Sequence, residues 1–141
     1  MGLITTTALC LRKVHFSETS QILTLLTDKL GVTRAIAKGA KREKSSVGGP
    51  LDVMCLYDVA LYDRSRRGTL SILSQAELLE FFPGARRQYA SFLAFERMRE
   101  LLLSIEVSPG DGAVTLLVAV KAMREVAAGQ APDAAVARFA W

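Results

Sequence analysis

The most regular pattern in the chain is an alternation of apolar and polar positions near its middle. In one run every odd position is apolar: Leu51, Val53, Cys55, Tyr57, Val59 and Leu61. A second run follows with the opposite parity: Leu70, Ile72, Ala76 and Leu78. A period of two is typical of a half-buried strand, and the polar segment 64–68 between the runs is typical of a turn. The sequence therefore predicts a long antiparallel hairpin.

Three shorter strands are predicted upstream, over residues 5–14, 21–27 and 32–38, because these segments are rich in Thr, Ile, Val and Leu. Residues 17–20 and 28–31 have the composition of turns. Glycines, serines, charged residues and Pro50 fill residues 39–50, which predicts an exposed loop. Five short, closely spaced strands favour a small antiparallel barrel.

The period of the pattern changes after Pro83 and Gly84. Apolar residues then recur every three or four positions, which predicts a helix that faces a core: Tyr89, Phe92, Leu93, Phe95, Met98, Leu102 and Ile105. Ser108 and Pro109 suit the N-cap and first position of a second helix. Because residues 113–120 carry no charge, we expect the first two turns of this helix to be fully buried.

A third helix is predicted to begin at Pro132 and to run to the last residue. Phe139 and Trp141 lie on this element. A helix that carries aromatic residues at a chain end usually packs against a partner, so we expect the chain to be cut short within a helical region.

Composition narrows the class of protein. The chain has 141 residues, of which 50% are hydrophobic and 23% charged, as in globular domains rather than disordered segments. The longest charge-free run, residues 1–11, is too short to cross a membrane and lacks the basic start of a signal peptide. Cys10 and Cys55 lie in apolar segments without a CxxC pair, so we expect no disulfide framework, no zinc site and a reducing compartment.

The positive charge is local. Residues 34–44 contain five basic residues and one acidic residue, a net charge of +4, which equals that of the whole chain. A second basic cluster, Arg64, Arg66 and Arg67, lies on the turn of the predicted hairpin, and Arg12 and Lys13 form a smaller third one.

Two interpretations of the 34–44 stretch remain open. It could be a surface that binds phosphates, since backbone phosphates need several cations spread along a track. It could equally be a solvated loop kept soluble by its charge. Tyr57 and Tyr62 are the aromatic residues that could stack on bases. Tyr57 falls on the apolar face of its strand, which favours the core, so Tyr62 is the better candidate.

The sequence offers little for catalysis. His15 is the only histidine, and its neighbours Val14 and Phe16 favour a structural, hydrogen-bonded role. Glu18 and Asp28 could form a carboxylate pair, but nothing in the sequence brings them together. Neither a P-loop nor a GxGxxG motif is present. We therefore expect no catalytic residues and no enzymatic activity.

Several segments resemble the RecO family of bacterial recombination mediators. The sequence HFSETS at residues 15–20 and ILTLLT at 22–27 are similar to the family's opening. Residues 30–42, LGVTRAIAKGAKR, resemble its most recognisable stretch, in which basic residues follow an AKGA core. Residues 44–45, residues 49–51 and the sequence EFFP at 80–83 continue the match. The resemblance covers residues 5–105 and is only general beyond them.

The resemblance implies an α+β fold, with a five-stranded OB-fold that binds DNA over residues 1–80 and a partial helical domain over 83–141. It implies a mediator that binds single- and double-stranded DNA, anneals strands and helps to load RecA onto strands coated by single-strand-binding protein. RecR, and in many bacteria RecF, are the implied partners. The candidate DNA-binding residues are Arg34, Lys38, Lys41, Arg42, Lys44, Tyr62, Arg64, Arg66 and Arg67.

Two departures from the family qualify these expectations. Family members are longer, and many add a Cys-rich zinc module, so we expect this chain to be a truncated member or a fragment. The alternative function is a protein-interaction module, in which the apolar helical half binds an acidic-hydrophobic peptide such as the tail of single-strand-binding protein. We expect no cofactor, metal, membrane or small-molecule substrate, and a location in the bacterial cytoplasm at the nucleoid.

Overall fold

The computed structural model describes residues 2–41, 47, 49–64, 70–84 and 88–129. Five strands come first: β1 (Leu3–His15), β2 (Gln21–Thr27), β3 (Gly31–Ala37), β4 (Leu56–Tyr62) and β5 (Ser71–Glu80). Two helices follow, α1 (Tyr89–Ser104) and α2 (Gly112–Ala127), and a 3₁₀ turn at Pro109–Asp111 precedes the second.

The five strands close into a barrel in the order β1-β2-β3-β5-β4. Neighbouring strands are antiparallel except β3 and β5, which pair in parallel through Ala35 with Ser71 and Ile36 with Ile72. An odd number of strands cannot alternate in direction around a closed ring, so one pair has to be parallel. The predicted α+β fold, an OB-like barrel followed by helices, is confirmed, with a sheet that is mixed at this one junction.

Alternate residues of the strands fill the barrel interior. In β2 and β3, Leu23, Leu25, Ala35 and Ala37 are fully buried, whereas the residues between them are partly exposed or exposed, apart from those near Thr27. Tyr57 lies in the same core, and its hydroxyl oxygen accepts a hydrogen bond from the backbone N–H of Asp52 at 2.8 Å. The prediction that Tyr57 packs in the core is confirmed.

Two free thiols, those of Cys10 and Cys55, also lie in the barrel interior. Their backbones are neighbours, since the N–H of Cys10 donates to the carbonyl oxygen of Cys55 at 3.2 Å. Burial raises the pKa of the Cys10 thiol to about 12. Because the thiolate is the reactive form, Cys10 is chemically inert at neutral pH and serves as a small apolar core residue.

The apolar run at residues 51–61 is a strand only in its second half. Residues 53–54 form a turn, and Met54 has a positive φ of 55°. A left-handed residue cannot continue a strand, so the predicted strand is wrong over residues 51–55. Leu51 is nevertheless buried, because the side chain of Gln21 holds it with two hydrogen bonds. Gln21 Nε2 donates to the carbonyl oxygen of Leu51 at 3.2 Å, and the N–H of Leu51 donates to Gln21 Oε1 at 3.0 Å.

A bulge changes the parity of β5. Ala60 pairs with Gln75 but Leu61 pairs with Leu73, so Ser74 is one extra residue in this strand. Extra residues of this kind turn the following side chains to the opposite face of the sheet. Before the extra residue Leu73 is buried and Ile72 faces outward, whereas after it Ala76 packs against the barrel core, so the even apolar positions of the second run do not share one face.

A second core joins the outside of the barrel to the helices. Leu9, Leu11 and Leu26 belong to it from the strands, and Phe95 and Met98 from α1. Leu11 lies two residues after Leu9 on the same face, and the bulge of β1 between Cys10 and Arg12 turns Arg12 to the outer face as well. The helices thus cover one end of the outer face of β1, β2 and β3.

The helical pattern predicts the buried face of α1 only in part. Phe95, Met98 and Leu102 are buried as expected. Three other members of the same pattern are exposed: Tyr89, Phe92 and Ile105. They lie at the first turn of α1 or just beyond its end, where the helix no longer faces the barrel.

The expectation that the first turns of α2 are fully buried is wrong. Val114 and Leu117 are 66% and 69% exposed, whereas Leu116 and Val120 are buried. Only one face of α2 packs against the rest of the molecule, so an apolar sequence on all sides leaves apolar residues at the surface. The predicted third helix, at residues 132–141, lies outside the described residues.

Candidate nucleic-acid interface

The outer face of β3 presents cations and one aliphatic side chain in alternation. Arg34 and Lys38 are exposed and Ile36 lies between them, while Ala35 and Ala37 point into the barrel. Side chains two residues apart in a strand lie on the same face, about 7 Å from each other. β3 therefore holds Arg34 on the solvent side of a rigid sheet, with Lys38 just past the strand's last residue.

A neighbouring row extends this charge across two more strands. Arg34 pairs with Thr24 of β2, and Thr24 pairs with Arg12 of β1. Directly opposed residues project from the same face of a sheet. Arg12 and Arg34 thus flank the small polar side chain of Thr24. We call the surface carrying Arg12, Arg34 and Lys38 the basic face.

The cations of the basic face have no ion-pair partner within the part of the chain that the structure describes. Among the described residues no carboxylate forms an ion pair with Arg12, Arg34 or Lys38. Lys13, by contrast, is paired with Asp52 at 3.0 Å. Long-range attraction for an anion is therefore concentrated on the outer side of the three strands rather than at Lys13.

Lys41 has a different environment, because it ties the start of the β3–β4 loop to the β1–β2 turn. Its ammonium group donates to the carbonyl oxygen of Ser17 at 3.0 Å and lies 2.9 Å from His15 Nδ1. An ammonium has no lone pair, so Nδ1 is the accepting nitrogen of His15. The backbone N–H of Lys41 also donates to Thr19 at 3.0 Å. This arrangement places Lys41 at the edge of the basic face, with its charge partly engaged.

The hairpin residues that the structure describes, Tyr62 and Arg64, lie further around the barrel from the basic face. Tyr62 is 40% exposed at the end of β4 and pairs with Ile72 of β5, which in turn pairs with Ile36 of β3. Arg64 is exposed two residues beyond Tyr62. One strand, β5, thus separates the hairpin residues from the basic face. Of the other candidates, Arg42, Lys44, Arg66 and Arg67 lie outside the described residues.

The structure places two residues in this region that were not among the candidate site residues from the sequence. Arg12 joins Arg34 only because the bulge of β1 sets its register with Thr24. Phe16 is 63% exposed at the β1–β2 turn, close to the residues that Lys41 contacts. The sequence signal for Phe16 is an aromatic residue directly before four turn residues, a position that faces solvent.

The described part of the molecule shows no group of three metal-ligating side chains. Within that same part, none of the helices has the length and apolar content needed to span a membrane. The arrangement that remains is an open, cationic sheet surface, which can bind an extended anion by contacts along its length.

Comparison with known proteins shows the family to which the chain is related. A family model described as Recombination protein O N terminal matches residues 1–82. The DNA repair protein RecO of Rhodopirellula baltica is 40% identical over 99 residues, covering 67% of this chain and 36% of that protein. The DNA repair protein RecO of Salinibacter ruber is 36% identical over 119 residues, covering 83% of this chain and 45% of that protein. Each match thus covers less than half of the relative's length.

Proposed function

Because this chain belongs to the RecO family of recombination proteins, we propose that it binds single- and double-stranded DNA through the basic face of its barrel. The single observation that carries the proposal is the set of Arg12, Arg34 and Lys38 on one exposed sheet surface without carboxylate partners among the described residues. We extend the site to Lys41, Arg42 and Lys44, which follow β3 in the sequence, and to Tyr62, Arg64, Arg66 and Arg67 as its second part.

The proposed activity requires the binding of DNA and involves no covalent step. Cations along the sheet neutralise backbone phosphates and release condensed counterions, which supplies the free energy of association without a base-specific contact. A protein that neutralises two strands in this way lowers their mutual repulsion, which favours annealing. We propose that this supports strand annealing and RecA loading in recombinational repair, with RecR, RecF and single-strand-binding protein as partners, in the bacterial cytoplasm.

The dependence of single-strand affinity on salt tests the proposal. If the five cations of residues 34–44 all contact phosphates, log K against log [salt] should have a slope of about −3.5, at about 0.7 per contact. Fluorescence anisotropy of a labelled oligonucleotide at several salt concentrations measures it. Absence of binding at low salt, or a slope near zero, would contradict the proposal.

A second candidate function follows from the helices. Val114, Leu117 and Val118 are exposed along one side of α2, with Lys121 one turn further on. Apolar residues beside a cation suit an acidic-hydrophobic peptide, such as the tail of single-strand-binding protein. We therefore propose that α2 binds that tail, in addition to the binding of DNA by the barrel.

A titration with a labelled acidic-hydrophobic peptide tests this second function. Saturation is expected in the micromolar range, with Leu117→Ser weakening it because the exposed leucine is the largest apolar contact on this side of α2. Leu3→Ser at the start of β1 serves as the matched control, since Leu3 is also an exposed leucine, at 53% against 69% for Leu117. No saturation at high micromolar peptide, or equal loss in both variants, would rule out the α2 surface.

A further inference from the structure

An unexplained row of apolar side chains runs around the outside of the barrel, next to the basic face. Its members are paired with one another across neighbouring strands. Val14 pairs with Ile22, Ile22 with Ile36, Ile36 with Ile72, and Ile72 with Tyr62. We call this the outer apolar row. It spans all five strands at one level of the barrel, and a solvated sheet face would normally carry polar residues at such positions.

The row is distinct from both cores of the molecule. The residues next to Ile22 and Ile36 in their own strands, including Leu23 and Ala35, are the ones that point into the barrel. The helices cover the same outer sheet surface only four residues away, at Leu26 and Val32. Val14 is 45% exposed and Tyr62 40%, while Ile22 and Ile36 are half-buried within the sheet. None of the five residues of the row belongs to either buried cluster among the described residues or is packed against one.

The charges around the row indicate what it binds. Arg34 and Lys38 lie two residues before and after Ile36 on β3, and Arg12 lies two residues before Val14 on β1. The apolar strip is thus bordered by cations at about 7 Å. A ligand that fits must have an anionic backbone together with flat apolar groups that reach past it, and unpaired nucleobases on a phosphate backbone have this chemistry.

We propose that the outer apolar row is a platform for the bases of single-stranded DNA, while the flanking cations hold the backbone. This inference rests on the DNA binding proposed above and adds a substrate preference to it. In a duplex the bases are stacked and paired inside the helix, so a duplex reaches Arg12, Arg34 and Lys38 but not the aliphatic side chains. Single strands gain the apolar contacts in addition, and the row therefore sets the preference between the two forms.

The test substitutes the two central residues with threonine, which keeps the β-branched shape while removing apolar surface. In the Ile22→Thr/Ile36→Thr variant we expect the affinity for an oligothymidine of about 20 nucleotides to fall about tenfold. The affinity for a duplex of the same length and the salt slope should not change. Ile105→Thr, the same change at an exposed isoleucine just beyond the end of α1, is the matched control, and thermal melting by circular dichroism verifies that each variant is folded.

Three results would overturn the inference. Equal loss for single strand and duplex, or no loss for either, would mean that the row does not contact bases. A wild-type chain that dimerises through the row, with the substitutions dissociating the dimer but leaving DNA affinity unchanged, would assign the row to a second copy of the chain. If the wild type bound neither DNA form, the proposed function itself would fail first, and the salt titration would already have shown it.

A variant that gains affinity gives a second readout that misfolding cannot imitate. Ile36→Tyr adds an aromatic ring between Arg34 and Lys38, and base–aromatic stacking is stronger than aliphatic contact. We expect about a fivefold tighter complex with the oligothymidine and an unchanged complex with the duplex. Unchanged or weaker single-strand binding by this folded variant would contradict the platform.

Discussion

An Arg34→Glu/Lys38→Glu variant is expected to bind a single-stranded oligonucleotide about 100-fold more weakly than the wild type at low salt. The two residues lie four positions apart on one exposed face of β3 and its end, without carboxylate partners among the described residues. The change removes two phosphate contacts and places two negative charges against the same backbone. The slope of log K against log [salt] should become less steep by about 1.4, at about 0.7 per lost contact. Fluorescence anisotropy at a series of salt concentrations measures both quantities.

The control is a double variant that changes the net charge by the same amount but at positions outside the basic face. Lys29→Glu/Lys121→Glu alters the turn between β2 and β3 and the outer side of α2, and both lysines are exposed. If binding depended only on the net charge of the chain, both double variants would lose affinity alike. A loss confined to Arg34 and Lys38 assigns binding to the basic face, whereas an unchanged affinity would remove β3 from the site.

Gly112→Ala is expected to lower the free energy of unfolding by about 3 kcal/mol or more, with a Tm lower by about 10 °C. Gly112 begins α2, where its Cα faces the turn between β2 and β3. A Cβ at this position would overlap the carbonyl oxygen of Thr27 and lie 2.7 Å from that of Asp28 and 3.0 Å from the backbone nitrogen of Gly31. All three are backbone atoms, so the clash can be relieved only by moving α2 away from the barrel. Thermal or urea unfolding monitored by circular dichroism gives the difference.

Gly110→Ala is the matched control, because Gly110 lies two residues earlier, in the 3₁₀ turn, and a Cβ there meets no atom within 4 Å. Its effect should be within about 0.5 kcal/mol of zero. The sign of the Gly112 effect is informative, since replacing a helical glycine by alanine ordinarily stabilises by up to about 1 kcal/mol. Equal stability of the two variants would show that the packing of α2 against the β2–β3 turn is not a constraint.

The same junction shows why the helices are held in one position on the barrel. Gly31 has a φ of 66°, and the N–H of Val32 donates to the carbonyl oxygen of Val107 at 3.1 Å. The segment before α2 thus hydrogen-bonds to β3 at the opposite end from Lys38. In consequence the helices occupy one part of the outer sheet surface and leave the basic face and the outer apolar row open.

Strand positions could be predicted from the sequence because one side of each strand is buried and the other is not. β2 and β3 follow their alternating patterns almost residue by residue. The pattern failed at 51–55, where apolar residues are buried by a loop instead of a strand, and in β5, where Ser74 is inserted. A period-two pattern records which residues are buried, but it does not record whether the ladder of backbone hydrogen bonds is continuous.

Parts of the candidate site were predictable for a similar reason. The density of positive charge in residues 34–44 is visible in the sequence, and the structure places Arg34 and Lys38 at the surface. The contribution of Arg12 was not predictable, since its neighbour across the sheet depends on a bulge in β1. The outer apolar row was not predictable either, because Ile22 and Ile36 have the appearance of ordinary core residues in a strand.

The order of elements, the local positive charge and the membership of the RecO family follow from the sequence alone. These depend on residue type and spacing, which are properties of the chain. Which apolar residues lie in a core and which lie at the surface became clear from the packing of the helices on the barrel. Burial depends on what packs above a residue: the helices cover Leu26, whereas Ile22 is only half-buried and Leu117 is exposed. Apolar residues of the same type therefore lie in a core at one place and at the surface at another.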